Sequence, residues 1–203
     1  FNATQITREG DVPYNIRAIK PLLWAAWVAE GKNKELQDLM VAYARNWRDA
    51  IMSEFDGKPN GIVPTMIKLD RQRSHEKDAP DWVASGYQTY KYPAAYVGKV
   101  YDLLLAAYEM SGDKSFLEPI QFALGTLRNI PDADLDAAKY PNASFDWAIR
   151  SGVGFIGVAG GDYRSITGDK SYDDVLLRVG PPIVKFRILA EKAKSPAEMQ
   201  AAI

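Results

Sequence analysis

The chain has 203 residues, with 47% hydrophobic and 25% charged residues. That is enough for one domain with a real core. Its 25 basic and 26 acidic residues leave a net charge of -1, which argues against a dedicated nucleic-acid binder. There is no cysteine and one histidine, so disulfides, thiolate nucleophiles, Cys-ligated zinc and a His-rich metal site are all excluded, and no metal or cofactor is assigned.

No apolar run reaches the length of a membrane span; the most apolar stretch, Ile19 to Val28, is interrupted by Lys20 and Pro21. The chain begins at Phe1 rather than Met, so sequence upstream is expected. Two Asn-x-Ser/Thr triplets, at Asn2 and Asn142, are read as chance matches.

In chain order, residues 1 to 14 are expected to be a loop or edge. A first helix follows from Asn15 or Pro21 to Glu30, stopped by Gly31. A second spans Asn33 to Ser53, where Leu36, Met40, Tyr43, Trp47, Ala50 and Ile51 recur every three or four residues.

The stretch from Ser53 to Tyr96 has no such period. It holds the turn signals Asp56-Gly57 and Asn60-Gly61, the lone His75, a charge run and a cluster of aromatics. A connection this long inside a helical domain is usually functional.

A third helix is expected from Pro93 to Met110, with a stripe of Tyr96, Val100, Leu103, Leu104, Ala107 and Met110. A fourth starts at Ser115, boxed with Glu118, and ends near Asn129. Residues 130 to 145 form a polar loop. A fifth, glycine-rich helix covers Phe145 to Thr167. A sixth begins at Ser171, with Asp174 in the box position, is broken at Pro181-Pro182 and resumes to Lys194. Ser195-Pro196-Ala197-Glu198 is a fresh helix start close to the last residue, which suggests an excerpt of a longer array.

Three helix-joining turns resemble one another: Gly31-Lys32-Asn33-Lys34-Glu35-Leu36, Gly112-Asp113-Lys114-Ser115-Phe116-Leu117 and Gly168-Asp169-Lys170-Ser171-Tyr172-Asp173. Their glycines are 81 and 56 residues apart. The excess of about 25 residues in the first interval matches the aperiodic stretch, read as an insertion over 54–90 in a single helical domain spanning 1–203. Hairpin repeats of this kind stack into solenoids or closed toroids, and excision of the insertion is expected to leave the helices foldable.

The short Thr-Gly-Asp-Lys-Ser-Tyr-like turns resemble those of the α/α toroid of glycoside hydrolases and polysaccharide lyases, heparinase-like lyases among them. So does the pattern Trp47…Asp56-Gly57-Lys58-Pro59-x-Gly61-x-x-Pro64 before an aromatic loop. The resemblance covers residues 15 to 194 and matches no catalytic signature residue by residue. It implies an all-α fold of stacked helical hairpins forming an incomplete (α/α) toroid. It also implies a polysaccharide or oligosaccharide partner, other domains of the same longer chain, and a secreted or periplasmic bacterial setting, with the cytoplasm left open.

Six aromatics fall within twenty residues: Trp82, Tyr87, Tyr90, Tyr92, Tyr96 and Tyr101. Such rings stack on sugars, and tyrosine moves protons; equally, they can pin a loop to the core, the reading preferred for Tyr96 and Tyr101 on the third helix's stripe. Removing a proton beside a carboxylate needs a base, a cation on the acid group and a proton donor. Arg71, Arg73, His75, Tyr87 and Tyr90 could supply them, unless the charge run is only a solvated surface.

Asp81, and Asp146 beside Trp147, are the carboxylates for a hydrolytic alternative. Asp146 also precedes Arg150 by four residues, the favourable order for a helix-surface ion pair. Gly152-Val153-Gly154-Phe155-Ile156-Gly157 spells a dinucleotide fingerprint but follows no strand, so close helix packing explains it better. The expected function is carbohydrate processing, as a lyase or hydrolase on an acidic glycan; the alternative is a non-catalytic helical domain that binds glycan or packs against other domains.

Overall fold

A computed structural model describes residues 10–29, 31–68, 81–83, 95–195 and 198. Eight α-helices carry the described fold: α1 (Pro13–Val28), α2 (Lys34–Ile51), α3 (Ala95–Ser111), α4 (Glu118–Arg128), α5 (Phe145–Ser151), α6 (Val153–Thr167), α7 (Asp173–Val179) and α8 (Pro182–Lys192). A two-residue antiparallel pair joins β1 (Gly10–Asp11) to β2 (Ile67–Lys68). The architecture is all-helical, built of stacked hairpins. α1 packs on α2, α3 lies between α1 and α6 while also touching α2, and α6 packs on α4 and α7.

Local chemistry sets most helix ends. Asn33 caps α2 by accepting a hydrogen bond from Leu36 N at 3.1 Å, and Ser144 caps α5 through Trp147 N at 3.1 Å. The buried residues of α2 are Met40, Ala44, Trp47, Ala50 and Ile51, largely the expected stripe. α1 starts two residues before Asn15 and carries Pro21 within it.

Four expectations change. Ser115 does not cap α4, which has no side-chain cap: Asp113, accepting from Ser115 N at 3.0 Å, caps a 3-10 turn (Lys114–Leu117) that precedes it. The Ser115 hydroxyl accepts from Arg48 Nη2 instead. The fifth expected helix is two helices, α5 and α6, divided at Gly152. α7 starts at Asp173 with no side-chain cap, because Asp174 turns to Arg128 at 2.8 Å. The Ser53–Tyr96 stretch places Ile62, Val63, Met66, Trp82 and Val83 in the core, so excising it would open the core rather than leave it intact.

The three related turns share a conformation. Gly31, Gly112 and Gly168 have φ of 81°, 70° and 72°, left-handed positions that favour glycine at a helix end. In the last two the side chains repeat as well. Ser111 and Thr167 donate to the carbonyls of Ala107 and Tyr163 and accept from Asp113 N and Asp169 N. Those aspartates accept in turn from Ser115 N and Ser171 N.

An arginine from the preceding hairpin then stacks on the aromatic of each turn. Arg45 lies 5.4 Å from the Phe116 ring and pairs with Asp113. Arg128 lies 4.9 Å from the Tyr172 ring and pairs with Asp174. The first turn has Lys32 and Glu35 where the others have the aspartate and the aromatic, so it lacks this clasp.

The glycine-rich motif is packing chemistry. A Cβ on Gly157 would lie 2.2 Å from Val179 O, and one on Gly160 2.8 Å from Leu176 Cδ2, so α6 and α7 meet closely only because both positions are bare. Arg164 of α6 completes the joint by pairing with Asp173 at 2.6 Å and with Glu191 of α8 at 2.8 Å.

Candidate functional site

The two long connections, one following α2 and the other Asn129 to Ser144, are joined through residues 81–83, where Asp81 meets Asn142 and Trp82 meets Ala143. The first connection is anchored at its base. Phe55 and Lys58 pair across Asp56 (φ 50°) and Gly57 (φ 80°), a tight hairpin turn of the kind Asp-Gly favours. Lys58 is fully enclosed. Its Nζ donates to the carbonyls of Ile51, Pro59 and Ile62 at 3.0, 2.7 and 2.9 Å.

Burial pulls the Lys58 amine down to about 7, with Glu54 acting against it. Three carbonyls facing one nitrogen call for three N–H groups, which only the ammonium has. Lys58 therefore closes the C-terminal end of α2, where Ile51 O also accepts from Gly61 N at 2.8 Å. Gly61 (φ 77°) lies under Phe122, whose ring would be 2.0 Å from a Cβ, and Phe122 packs edge-on to Phe145 of α5 at 6.2 Å.

Beyond this base, β2 pairs with β1. The β1 carboxylate of Asp11 accepts from Asn15 Nδ2 (2.8 Å), the Tyr43 hydroxyl (2.5 Å) and Trp47 Nε1 (3.0 Å). Burial and then Asp11 push the Tyr43 hydroxyl well above its ordinary range. Neither Lys58 nor the Asp11–Tyr43 cluster was legible as a site. Lys58 sat within a turn signal, and Tyr43 and Asp11 are 32 residues apart with no spacing rule to link them.

Residues 81–83 carry two candidates. Asp81 accepts from Val83 N at 2.9 Å and from Asn142 Nδ2 at 3.4 Å, which brings the two connections together. Trp82 is 1% exposed; its Nε1 donates to Ala143 O at 2.9 Å, and its carbonyl accepts from Thr65 Oγ1 at 2.5 Å. Its ring pins the loop to the core and offers solvent no face for stacking on a sugar.

On α5, just after the second connection, Arg150 is a buried hub. It pairs with Asp146 at 2.6 Å and Asp134 at 3.2 Å, donates to Asp134 O at 2.6 Å, and lies 3.8 Å from the Tyr140 ring. The Tyr140 hydroxyl donates to Asp134 at 2.6 Å and holds that carboxyl below the usual range, with Arg150 helping. The expected Asp146–Arg150 pair is present, and the guanidinium is directed at protein carboxylates. Trp147 is half-buried against the core. Tyr101 is a core residue, with its hydroxyl pushed up by burial.

Arg71, Arg73, His75, Tyr87, Tyr90 and Tyr92 lie outside the described residues, as do the Tyr96 side chain and the Asn2 triplet. Among the described residues no group of three or more His, Asp or Glu side chains is placed to hold a metal ion, and no helix is long and apolar enough to cross a membrane.

Compared with known protein families, curated proteins and solved structures, the chain matches none. The class of protein that fold and site define is thus an all-helical domain of stacked hairpins.

Proposed function

We propose that this domain belongs to a carbohydrate-processing protein and acts on an acidic glycan, as a lyase or hydrolase, where its two long connections meet. The observation that carries this reading is the anchoring of the first connection. The stretch with Arg71, Arg73 and His75 departs at Lys68, in the β1–β2 pair, and returns at Asp81, which is bonded to Asn142. The stretch with Tyr87, Tyr90 and Tyr92 departs at Val83, beside buried Trp82, and returns at the start of α3. The described residues that flank both stretches are thus held by the fold, Lys68 in the strand pair and Asp81 and Trp82 by the second connection.

In the lyase, Arg71 and Arg73 neutralise a uronate carboxylate. His75 or a tyrosine, Tyr87 or Tyr90, removes the adjacent proton, and another of these groups protonates the leaving oxygen. In the hydrolase, Asp81 and Asp146 serve as acid and base. A non-catalytic glycan-binding domain is the second reading. It is favoured by Trp82, Asp146 and Arg150, all of which are engaged in holding the fold.

The test is to incubate the protein with acidic polysaccharides and follow both the ultraviolet absorbance of an unsaturated product and the release of reducing ends. A lyase gives both signals and a hydrolase only the second. His75→Ala or Tyr87→Phe should reduce turnover at least tenfold. Calorimetric binding without turnover would select the second reading, and neither binding nor turnover would remove both.

A further inference from the structure

α1 has the wrong surface for a helix with one wet face. α2 and α4 are amphipathic in the ordinary way, whereas α1, α3 and α6 are richer in apolar residues and less sharply divided into a polar and an apolar face. A helix with a wide apolar surface is expected to be covered on more than one side. α3 meets this condition, lying between α1 and α6, and α6 packs on α3, α4 and α7 while keeping Gly154, Val158, Asp162 and Ser165 exposed. Among the described residues α1 packs chiefly on α2 and α3, and Pro13, Ile16, Leu23 and Ala26 are its buried residues. Trp24, Trp27 and Val28 are 59%, 50% and 64% exposed.

The uncovered face has an order. Arg17, Lys20, Trp24 and Trp27 are exposed and follow one another at intervals of three, four and three residues, the spacing of a helix-pairing seam, with Pro21 and Val28 beside them. Both cations occupy the N-terminal half of the seam and both indoles the C-terminal half. α1 has no acidic residue.

Such a seam is complementary to itself when reversed. An antiparallel copy centred on residue 22 sets Lys20 opposite Trp24 and Arg17 opposite Trp27, twice over by symmetry. The cation–ring contact already exists within one chain, where Lys20 Nζ lies 6.0 Å from the Trp24 ring. A parallel copy would instead set cation against cation. We infer that the outer face of α1 is a dimerisation surface, occupied by α1 of a second copy of this chain in antiparallel, two-fold contact.

One helix pair buries little area, so the dimer is expected to be weak, with a dissociation constant of about 10 μM. Sedimentation velocity from about 1 to about 200 μM, bracketing that value, should show monomer passing to dimer. Trp24→Glu and Trp27→Glu should each weaken the dimer at least tenfold with an unchanged circular dichroism spectrum, because neither ring is in the core.

The orientation is read by disulfide formation in the cysteine-free background. Arg17→Cys mixed with Trp27→Cys should cross-link, and Arg17→Cys alone should not. A monomer at the top concentration overturns the inference, as does a dimer indifferent to Trp24→Glu or equal cross-linking by Arg17→Cys alone. Capture of a monomer by phosphatidylserine-containing vesicles would also overturn it and assign the face to a lipid surface.

Discussion

Gly157→Ala should destabilise the protein, although the same change inside an unencumbered helix stabilises it. Alanine is favoured over glycine in a helix interior by about 1 kcal/mol. At Gly157 the added Cβ would lie 2.2 Å from Val179 O and 2.9 Å from Val179 C, both backbone atoms that no rotamer change can move aside.

Restoring ordinary contact at 3.4 Å requires the end of α7 to withdraw by about 1.2 Å. A gap of that size forfeits a quarter to a half of the dispersion energy of each contact along the seam. That seam includes Val175 and Leu176, both buried. Strain and lost contact together outweigh the propensity gain, for a net loss of about 2–3 kcal/mol. For a chain of this size that is a fall of about 5–10 °C in melting temperature.

Gly125→Ala in α4 is the matched control. Nothing lies within 4 Å of its Cβ, so it should gain about 0.5–1 kcal/mol. Urea unfolding followed by circular dichroism reads both. If Gly157→Ala is as stable as the parent, or if the two substitutions move stability the same way, the close approach of α6 and α7 is not what the glycine serves.

Arg150→Ala should cost about 1–3 kcal/mol, since it removes charge-assisted bonds to Asp146, Asp134 and the Asp134 carbonyl. It should also speed proteolysis between Asn129 and Ser144; an unchanged cleavage rate would show that Arg150 is not what holds that connection. At acid pH, Glu191 is held down to about 2, from an ordinary 4.5, by its bonds to Arg164 and then Lys170. Its folded value lies below its unfolded one, so its contribution is fully present above 4.5 and is lost as pH falls toward about 2. Glu191→Gln should lower stability at neutral pH and flatten the loss across that window in pH-dependent melting. An identical pH profile in the variant would refute the assignment.

The helices and their turns were legible because the signals that build them are local. An apolar residue every three or four positions identifies a buried face, and Asp113 and Asp169 each bond an N–H two residues ahead. The related turns of Gly112 and Gly168 were visible as sequence and proved to be one hydrogen-bonded arrangement. The misplaced cap at Ser115 shows the limit of such signals. Asp113 competes for the same role, and Arg48, 67 residues away, takes the hydroxyl.

Of the candidate site, the sequence located the connection but not the allegiance of its residues. Trp82 and the tyrosines near it look alike as letters. Only the fold turns Trp82 inward, by offering Ala143 O to its indole 61 residues on. Arg150 looked like one half of a surface pair, and the return of Asp134 and Tyr140 makes it a buried hub.

By itself, the sequence determined the all-helical hairpin repeat, since periodicity, caps and left-handed glycines act within a turn or two of chain. The tertiary structure decided which polar groups are enclosed and with which partners, and that Trp24 and Trp27 of α1 stay exposed where the indole of Trp82 is buried. Burial depends on what arrives from elsewhere in the chain, and no local pattern records that.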